Sequence, residues 1–312
     1  MKNPIRIGTR GSALAMYQAE MVRTLIIKDF PLASVEIIKV KTSGDMIRRG
    51  ARQPFETKRI FTKEIEEALL ACDIDLGVHS AKDMGVQSPE GLRTAAVLER
   101  EDPRDCLISK DGQKLSELPL GARIGTGSLR RGRQLLRKNP ELVIEEVRGN
   151  VETRIRKMQE GLFDALVLAY AGIKRLGFLE QVCEIFSEAT FYPAAGQGII
   201  AVQCRKNDED INEIVECLHH EETGTLFECE WSFLESLGGG CQLPCGISTE
   251  LKENQIKARG GIFAVDENKW AETEVAGNAK EPRAVGRLLA GQILGNGGQE
   301  ILEKISEHFQ KE

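Results

Sequence analysis

The residues best suited to covalent chemistry lie in the glycine-rich stretch 237–246 (LGGGCQLPCG). Its first cysteine, Cys241, follows three glycines, which adopt backbone conformations closed to other residues and let a bulky group approach the main chain. Because a thiol is strongly nucleophilic near pH 7, Cys241 is a candidate nucleophile or covalent anchor. The alternative is a flexible surface loop with an incidental cysteine. A metal site is disfavoured, because Cys241 and Cys245 have no second pair of Cys or His nearby in the sequence.

A second candidate is Asp83, which follows a predicted strand at 74–79 together with Ser80 and Lys82. A carboxylate beside a lysine at a strand end is either a solvated ion pair or an acid/base group held in a cleft. The residues alone leave both interpretations open. We expect His79, at the end of the same strand, to pack or to form hydrogen bonds and not to react.

Basic side chains recur at turns that precede predicted helices. They are Arg10, beside Ser12, then Arg130 and Arg131, and finally Arg148 and Arg154. Arginines at a helix start oppose the helix dipole, so their presence indicates an anionic ligand. A guanidinium pairs bidentately with carboxylate or phosphate. The alternative is a solvated basic surface.

The elements that position these residues alternate between strand and helix. Predicted strands cover 5–7, 35–41, 74–79, 123–125, 142–147, 165–169 and 199–203, and predicted helices 13–28, 61–72, 129–138 and 208–220. Repeated alternation predicts an α/β fold with two similar domains, one of residues 1–98 and 199–216 and one of residues 104–192. Residues 221–312 are predicted to form a smaller α+β domain. Residues 100–105 are predicted to be a hinge, and the aperiodic stretch 42–60 a mobile lid.

Composition narrows the class of protein. The 312 residues are 41% hydrophobic and 29% charged, and no apolar run approaches the roughly 20 residues that a membrane helix needs. We expect a cytoplasmic protein, because the first residues enter a strand pattern with no signal-peptide core. The eight scattered cysteines are typical of reduced thiols. A net charge of -6 argues against general nucleic-acid affinity.

Taken together, these motifs resemble the porphobilinogen deaminase (hydroxymethylbilane synthase) family. The resemblance extends from Ile5 to the last helix and is carried by residues 78–83, 99–105, 125–131, 147–151 and 239–244. It implies two domains like the halves of periplasmic binding proteins, facing each other across a cleft, and a third domain that anchors the cofactor. It also implies a monomer with a small-molecule substrate, porphobilinogen, and no metal.

The resemblance implies that Cys241 carries a dipyrromethane cofactor through a thioether, made by the enzyme from its own substrate. On it the family joins four porphobilinogens head to tail, releases ammonia each time and frees linear hydroxymethylbilane for tetrapyrrole and heme biosynthesis. Asp83 matches the catalytic carboxylate. Such a group would stabilise the positive charge of the electron-deficient azafulvene and handle pyrrole N–H protons.

The same resemblance implies a set of residues that bind the carboxylates of cofactor or substrate, or add hydrogen bonds. They are Arg10, Ser12, Lys58, Ser80, Lys82, Thr126, Ser128, Arg130, Arg131, Arg148, Arg154, Arg175 and Gln197. Lys58 matches a lysine of the family's lid.

The sequence departs from the family pattern at several places. Residues 56–61 read ETKRIF where the family lid reads GGKGLF, and Met84-Gly85 replaces Val-Pro. Gly127, Trp231 and Gly238 stand where the family usually has serine, arginine and glutamate.

Two other functions compete with the enzyme. A two-lobed protein that binds an anion without chemistry would explain the arginines and the α/β repeat, but not the thiol and carboxylate at family positions. Nucleic-acid binding by residues 123–156 is disfavoured by the acidic stretches around them and by the lack of interleaved aromatic residues.

Overall fold

The computed structural model describes residues 4–42, 61–239 and 243–311. The chain divides into two compact units: Met1–Glu101 with Ile199–Thr225 (unit 1), and Asp102–Gly198 with Leu226–Glu312 (unit 2). Within the described ranges, no helix combines the length and apolar composition needed to cross a membrane.

Unit 1 contains a mixed five-stranded sheet. Its strands run in the order Val35–Lys39, Ile5–Thr9, Leu76–Ser80, Ile200–Arg205, Leu92–Val97. The first three are mutually parallel, and Ile200–Arg205 is antiparallel to both of its neighbours. Parallel strands buried on both faces consist of nearly continuous apolar runs, as the burial of Leu76–Ser80 illustrates.

In the described part of unit 1, three helices contribute to the apolar clusters of this sheet. Helix Ala13–Asp29 shares one buried apolar cluster with helix Glu209–Glu216, and helix Lys63–Leu70 contributes Ile65 and Leu69 to a second cluster. Because both clusters also contain residues of the sheet or its edges, the strand ends are held in fixed positions. The candidate residues of unit 1 follow these strand ends.

Unit 2 also contains a five-stranded sheet with helices packed against it. Its first sheet has the order Val143–Glu145, Arg123–Gly125, Ala165–Ala169, Asp105–Ser109, Glu184–Ile185. Alternate residues of strand Ala165–Ala169 enter two separate apolar clusters, as the period of two in a strand requires. Helices Leu129–Lys138, Val151–Gln159 and Tyr170–Arg175 complete these clusters.

A third sheet, also in unit 2, is a three-stranded antiparallel meander. Its strands are Cys245–Lys252, Gln255–Phe263 and Trp270–Asn278. The accompanying helices are Glu221–Ser236, Pro282–Ile293 and Gln299–Lys311. Gly286 is required where two of these helices cross, because a Cβ there would meet the carbonyl oxygen of Cys229. The meander approaches the preceding chain closely at Gly246, where a Cβ would lie 2.7 Å from the Tyr192 carbonyl oxygen.

The predicted fold class, two α/β parts with a smaller third sheet, is confirmed. Several bounds differ: the strand predicted at 35–41 ends at Lys39, and the helix predicted at 208–220 covers only Glu209–Glu216, after which a new helix begins at Glu221. Asp105 is not merely part of a connection, as predicted, but the first residue of a buried strand. The sequence analysis missed the strands Leu92–Val97 and Trp270–Asn278 and the helix Pro282–Ile293.

Candidate functional site

The first strand–helix turn of unit 1 holds Arg10 and Ser12. Ser12 is the N-cap of helix Ala13–Asp29, and its Oγ accepts a hydrogen bond from the Ala15 N–H at 3.3 Å. The Arg10 guanidinium lies over the ring of Phe61, 4.2 Å from its centroid, a cation–π arrangement. The aromatic face orients Arg10 at the end of the strand.

Asp83 lies on a short 3₁₀ turn, Ala81–Asp83, directly after strand Leu76–Ser80. The Ala81 N–H donates to the Ile199 carbonyl at 3.0 Å, and the Met84 N–H donates to the Ala81 carbonyl at 3.0 Å. These two bonds fix the backbone on both sides of the half-buried side chains of Lys82 and Asp83. The turn therefore presents a carboxylate in a defined position at the edge of the sheet.

Ser80 and His79 support this turn from within unit 1. The Ser80 hydroxyl exchanges hydrogen bonds with the buried amide of Gln18, whose Nε2 donates at 2.9 Å. His79 is buried, and this burial lowers its pKa to about 4, with a smaller effect of the Arg10 charge in the same direction. Gln203 lies near enough to oppose the shift, although no hydrogen bond of standard geometry reaches His79 Nε2 among the described residues. His79 is neutral near pH 7.

In unit 2, Arg130 and Arg131 follow the turn 126–128 at the start of helix Leu129–Lys138 and share one buried carboxylate, Asp105. Arg130 Nη1 donates to Asp105 Oδ2 at 2.7 Å, and Arg131 Nε donates to Oδ1 at 2.9 Å. The three side chains are 5%, 8% and 0% exposed. Burial alone would raise the pKa of Asp105, but the charges of Arg130 and Arg131 outweigh it and hold the pKa below its ordinary value. Among the described residues, the cluster thus has two guanidiniums and one carboxylate.

The turn that starts this helix is itself hydrogen-bonded. Ser128 is the N-cap, with its Oγ accepting from the Arg131 N–H at 3.4 Å, and the Ser128 N–H donates to Thr126 Oγ1 at 3.2 Å. Thr126 is buried, whereas Gly127 between them is exposed. The hydroxyls of both predicted binding residues therefore shape the helix start.

Arg148 and Arg154 flank the start of helix Val151–Gln159. Arg148 Nε donates to Glu146 Oε1 at 2.6 Å, and Arg154 Nε donates to the Gly149 carbonyl at 2.8 Å. Asn150 caps the helix by accepting from the Thr153 N–H at 2.9 Å. Both arginines are partly exposed, so they remain accessible to a ligand.

Arg175 and Gln197 form hydrogen bonds near the end of the segment Asp102–Gly198 of unit 2. Arg175 Nη2 donates to the Gly198 carbonyl at 2.7 Å. Gln197 is fully buried, and its Nε2 donates to the Pro103 carbonyl at 2.6 Å and to Asp105 Oδ1 at 2.9 Å. Its Oε1 accepts from Arg131 Nη2 at 3.2 Å.

Cys241 and Lys58 lie outside the described residues, but the structure does describe what flanks Cys241. Gly238, after helix Glu221–Ser236, has φ +73°, and a Cβ on Gly239 would meet the Leu234 carbonyl oxygen. On the other side, burial raises the pKa of the Cys245 thiol to about 12, while the nearby Arg130 charge lowers it to a lesser extent. Cys245, four residues after Cys241 in the sequence, therefore lies near Arg130 of the same unit.

Buried cysteines elsewhere are poor nucleophiles. Burial raises the pKa of Cys106 and Cys229 to about 12 as well. A thiol with such a pKa stays protonated at neutral pH and is inert. Among the described residues no cluster of three or more His, Cys, Asp or Glu could hold a metal ion.

Two departures from the family pattern have a structural setting. Trp231 is buried and packs against Phe227 with tilted rings, whose centroids lie 4.5 Å apart. Gly238 occupies the left-handed region that favours glycine after a helix end.

Sequence reasoning missed Asp105 as a site residue. The feature that could have indicated it is a carboxylate directly before the apolar run 106–108.

Comparison with known proteins adds independent observations. Residues 5–213 match the model "Porphobilinogen deaminase, dipyromethane cofactor binding domain", and residues 225–295 match "Porphobilinogen deaminase, C-terminal domain". Porphobilinogen deaminase of Carboxydothermus hydrogenoformans is 43% identical over 98% of this chain and 98% of the relative. The protein of the same name from Syntrophomonas wolfei is 43% identical over 97% and 98%, and that of Geotalea uraniireducens 42% over 96% and 94%. Among solved structures, the methionine binding protein MetQ matches with a TM-score of 0.45 and 14% identity, covering 69% of this chain and 89% of that one.

Proposed function

This chain belongs to the porphobilinogen deaminase family, and on that premise we propose which of its residues catalyse the reaction and which bind. The family's enzymes are transferases that condense four porphobilinogens head to tail on a covalent dipyrromethane cofactor. They release ammonia and give linear hydroxymethylbilane for tetrapyrrole and heme biosynthesis. We assign catalysis to Asp83, cofactor attachment to Cys241 and carboxylate binding to the arginines.

The observation that carries this assignment is the surplus of positive charge around Asp105. Arg130 and Arg131 are both buried and have this one carboxylate between them. Burying an uncompensated charge is costly, and the N-terminal end of helix Leu129–Lys138 adds further positive potential. An anion next to the cluster removes this cost. Porphobilinogen units carry acetate and propionate groups, so the residues present fit both the cofactor and the substrate.

The assignment of Cys241 is supported by its neighbours. The buried thiols of Cys106, Cys229 and Cys245 have a pKa of about 12 and are unsuited to attack. The stretch with Cys241 is flanked by glycines on one side and by Cys245, close to Arg130, on the other. When bound there, the dipyrromethane supplies the covalent primer for the chain of pyrroles. Arg130 and Arg131, in the same unit, are suited to hold its carboxylates.

Asp83 is suited to the chemical step because its position is fixed and its side chain is only half-buried. A preorganised carboxylate stabilises positive charge that develops when ammonia leaves, and its oxygens accept or return a pyrrole proton. Lys82, Arg10 and Ser12, also in unit 1, supply cationic and hydrogen-bonding groups for substrate carboxylates. His79 takes no part in proton transfer, because its low pKa keeps it a weak base.

We extend the proposal to the remaining predicted binding residues and to the state of the protein. Lys58, Ser80, Thr126, Ser128, Arg148, Arg154, Arg175 and Gln197 complete the binding set. We propose that residues 221–312 form a third domain, that the enzyme is a cytoplasmic monomer and that it does not bind nucleic acid.

The test is the intact mass of the purified protein beside two variants. Wild type is expected to exceed its sequence mass by two linked pyrrole units, and Cys241→Ser to have the bare sequence mass. Cys217→Ser, which changes an exposed cysteine elsewhere, is the matched control and keeps the excess mass. Wild-type protein that stays at the sequence mass after incubation with porphobilinogen would overturn the assignment.

Asp83 requires its own measurement. Asp83→Asn keeps the shape of the side chain and removes its charge, so it is expected to lower kcat by about 10²- to 10⁴-fold. An Asp83→Asn enzyme with wild-type kcat would exclude Asp83 from the chemical step.

A further inference from the structure

Asp105 lies at the centre of a buried network in unit 2 and has no role in the function proposed so far. Its Oδ2 accepts from Arg130, and its Oδ1 accepts from Arg131 and from Gln197 Nε2. The carboxylate is 0% exposed, so it makes its bonds to protein groups and is shielded from solvent. Asp105 therefore holds the side chains of Arg130 and Arg131 in place through these hydrogen bonds.

The network leaves Arg131 little freedom. Besides Nε, its Nη2 lies 2.7 Å from Asp105 Oδ1 and also donates to Gln197 Oε1, and its Nη1 donates to the Val167 carbonyl at 3.3 Å. All three guanidinium nitrogens therefore have protein partners. Arg130 is held by Asp105 and by the Tyr192 carbonyl at 2.5 Å. Arginine side chains that are already ordered before a ligand binds lose less conformational entropy on binding it.

Gln197 joins this network to both ends of the segment Asp102–Gly198 of unit 2. Its Nε2 also donates to the Pro103 carbonyl, one residue after the first residue of the unit, Asp102. Gln197 itself lies one residue before the last residue of that segment, Gly198. The amide thus connects the two ends of the segment Asp102–Gly198, the first of the two segments of unit 2, and it connects both to Arg131.

We propose that Asp105 is a positioning residue for the carboxylate-binding arginines, with Gln197 as its partner. Asp105 neutralises one of the two guanidinium charges, so that the pair can be buried, and leaves the other for the ligand. Gln197 supports this arrangement through its hydrogen bonds to Arg131 and Asp105. This proposal rests on the carboxylate-binding role assigned to Arg130 and Arg131 above.

The test compares Asp105→Asn, Gln197→Met and Asp75→Asn. Asp75 is the matched control: it is another fully buried aspartate that bonds to two arginines, Arg6 and Arg205, in unit 1. Two quantities are measured: the KM for porphobilinogen, and the porphobilinogen concentration that gives half-maximal cofactor loading of apoprotein, read by intact mass. Thermal unfolding identifies the variants that are folded.

Asp105→Asn and Gln197→Met are each expected to raise both concentrations about tenfold or more, with a smaller change in kcat, because misplaced binding groups weaken affinity. Asp75→Asn is expected to lower the unfolding temperature and to leave both concentrations unchanged. Adding Asp105→Asn to Arg131→Lys is expected to have less than the additive effect, since Asp105 acts through that arginine.

Wild-type values of both concentrations in folded Asp105→Asn would overturn the proposal, as would strictly additive effects in the double variant. If Asp105→Asn does not fold, wild-type values of both concentrations in folded Gln197→Met would overturn the proposal instead. That variant removes the hydrogen bonds of the Gln197 amide without leaving a charge unpaired. Failure of the underlying function is recognised separately. In that case Arg130→Lys and Arg131→Lys themselves leave both concentrations unchanged.

Discussion

Acidification from pH 7 to pH 4 is expected to destabilise unit 1 through His79. Burial lowers the pKa of this imidazole in the folded chain to about 4, against 6.5 for an unperturbed histidine. Below pH 6.5, His79 therefore binds a proton in the unfolded chain but stays neutral in the folded chain. The free energy of unfolding falls as the pH falls towards 4. At about 1.4 kcal/mol per pH unit, the difference of roughly 2.5 units amounts to about 3 kcal/mol. The contribution is fully present above pH 6.5.

Two measurements check this value. The chain has four histidines, so the ring signals in an NMR titration can be assigned by comparison with His79→Gln. The His79 signal is expected to stay constant between pH 7.5 and 5.5. Urea unfolding at pH 7 and pH 5 should show wild type losing about 2 kcal/mol more than His79→Gln. A His79 signal that titrates with a midpoint near 6.5, or an equal loss in both proteins, would refute the reasoning.

Three further predictions concern stability and are checked by thermal or urea unfolding. Gly246→Ala places a Cβ 2.7 Å from Tyr192 and is expected to cost about 1–3 kcal/mol. Its control is Gly291→Ala in helix Pro282–Ile293, where a Cβ meets nothing within 4 Å. That change should add about 0.5–1 kcal/mol of stability. Equal effects of the two changes would contradict the close approach at Gly246. Gly238→Ala is expected to cost about 1 kcal/mol, because φ is +73° there, and an unchanged stability would rule out that backbone conformation. Phe233→Ala empties a fully buried position and should cost about 3–5 kcal/mol, whereas a loss below 1 kcal/mol would contradict its burial.

Much of the architecture could be predicted from the sequence because local patterns decide it. Strand Arg123–Gly125, helix Leu129–Lys138 and strand Ala165–Ala169 have the predicted bounds. Strand 123–125 runs into the turn 125–128 (GTGS), the helix ends before Asn139-Pro140, and strand 165–169 is an unbroken apolar run. The strand Trp270–Asn278 was missed because one face carries Glu272 and Glu274 and the other carries Thr273 and Gly277, so little hydrophobic signal remains. Its stability comes from pairing with strand Gln255–Phe263, a contact that local sequence does not reveal.

The site was only partly predictable for the same reason. Arginines at helix starts, the thiol in a glycine loop and the carboxylate at a strand end are signals within a few residues. The partner of Arg130 and Arg131 lies 25 residues earlier in the chain, counted from Arg130. Asp105 was therefore taken for part of a charged connection. Likewise, nothing in the sequence indicates that the Gln197 amide is buried between Pro103 and Arg131.

A comparison of the two buried aspartates explains why only one of these clusters is suited to a ligand. Asp75 bonds to Arg6 and Arg205, but Arg205 Nη2 also donates to Asp208 Oδ2 at 2.7 Å.

That network has two carboxylates for two guanidiniums, and its arginines are 32% and 14% exposed, so solvent screens whatever imbalance remains. The Asp105 cluster has one carboxylate for two guanidiniums that are at most 8% exposed. Since burying a net charge is costly, this difference supports the proposal that the Asp105 cluster, and not the Asp75 network, binds an anion. Among the described residues, charge balance, and not the number of arginines, thus distinguishes the cluster proposed to bind the ligand from the Asp75 network.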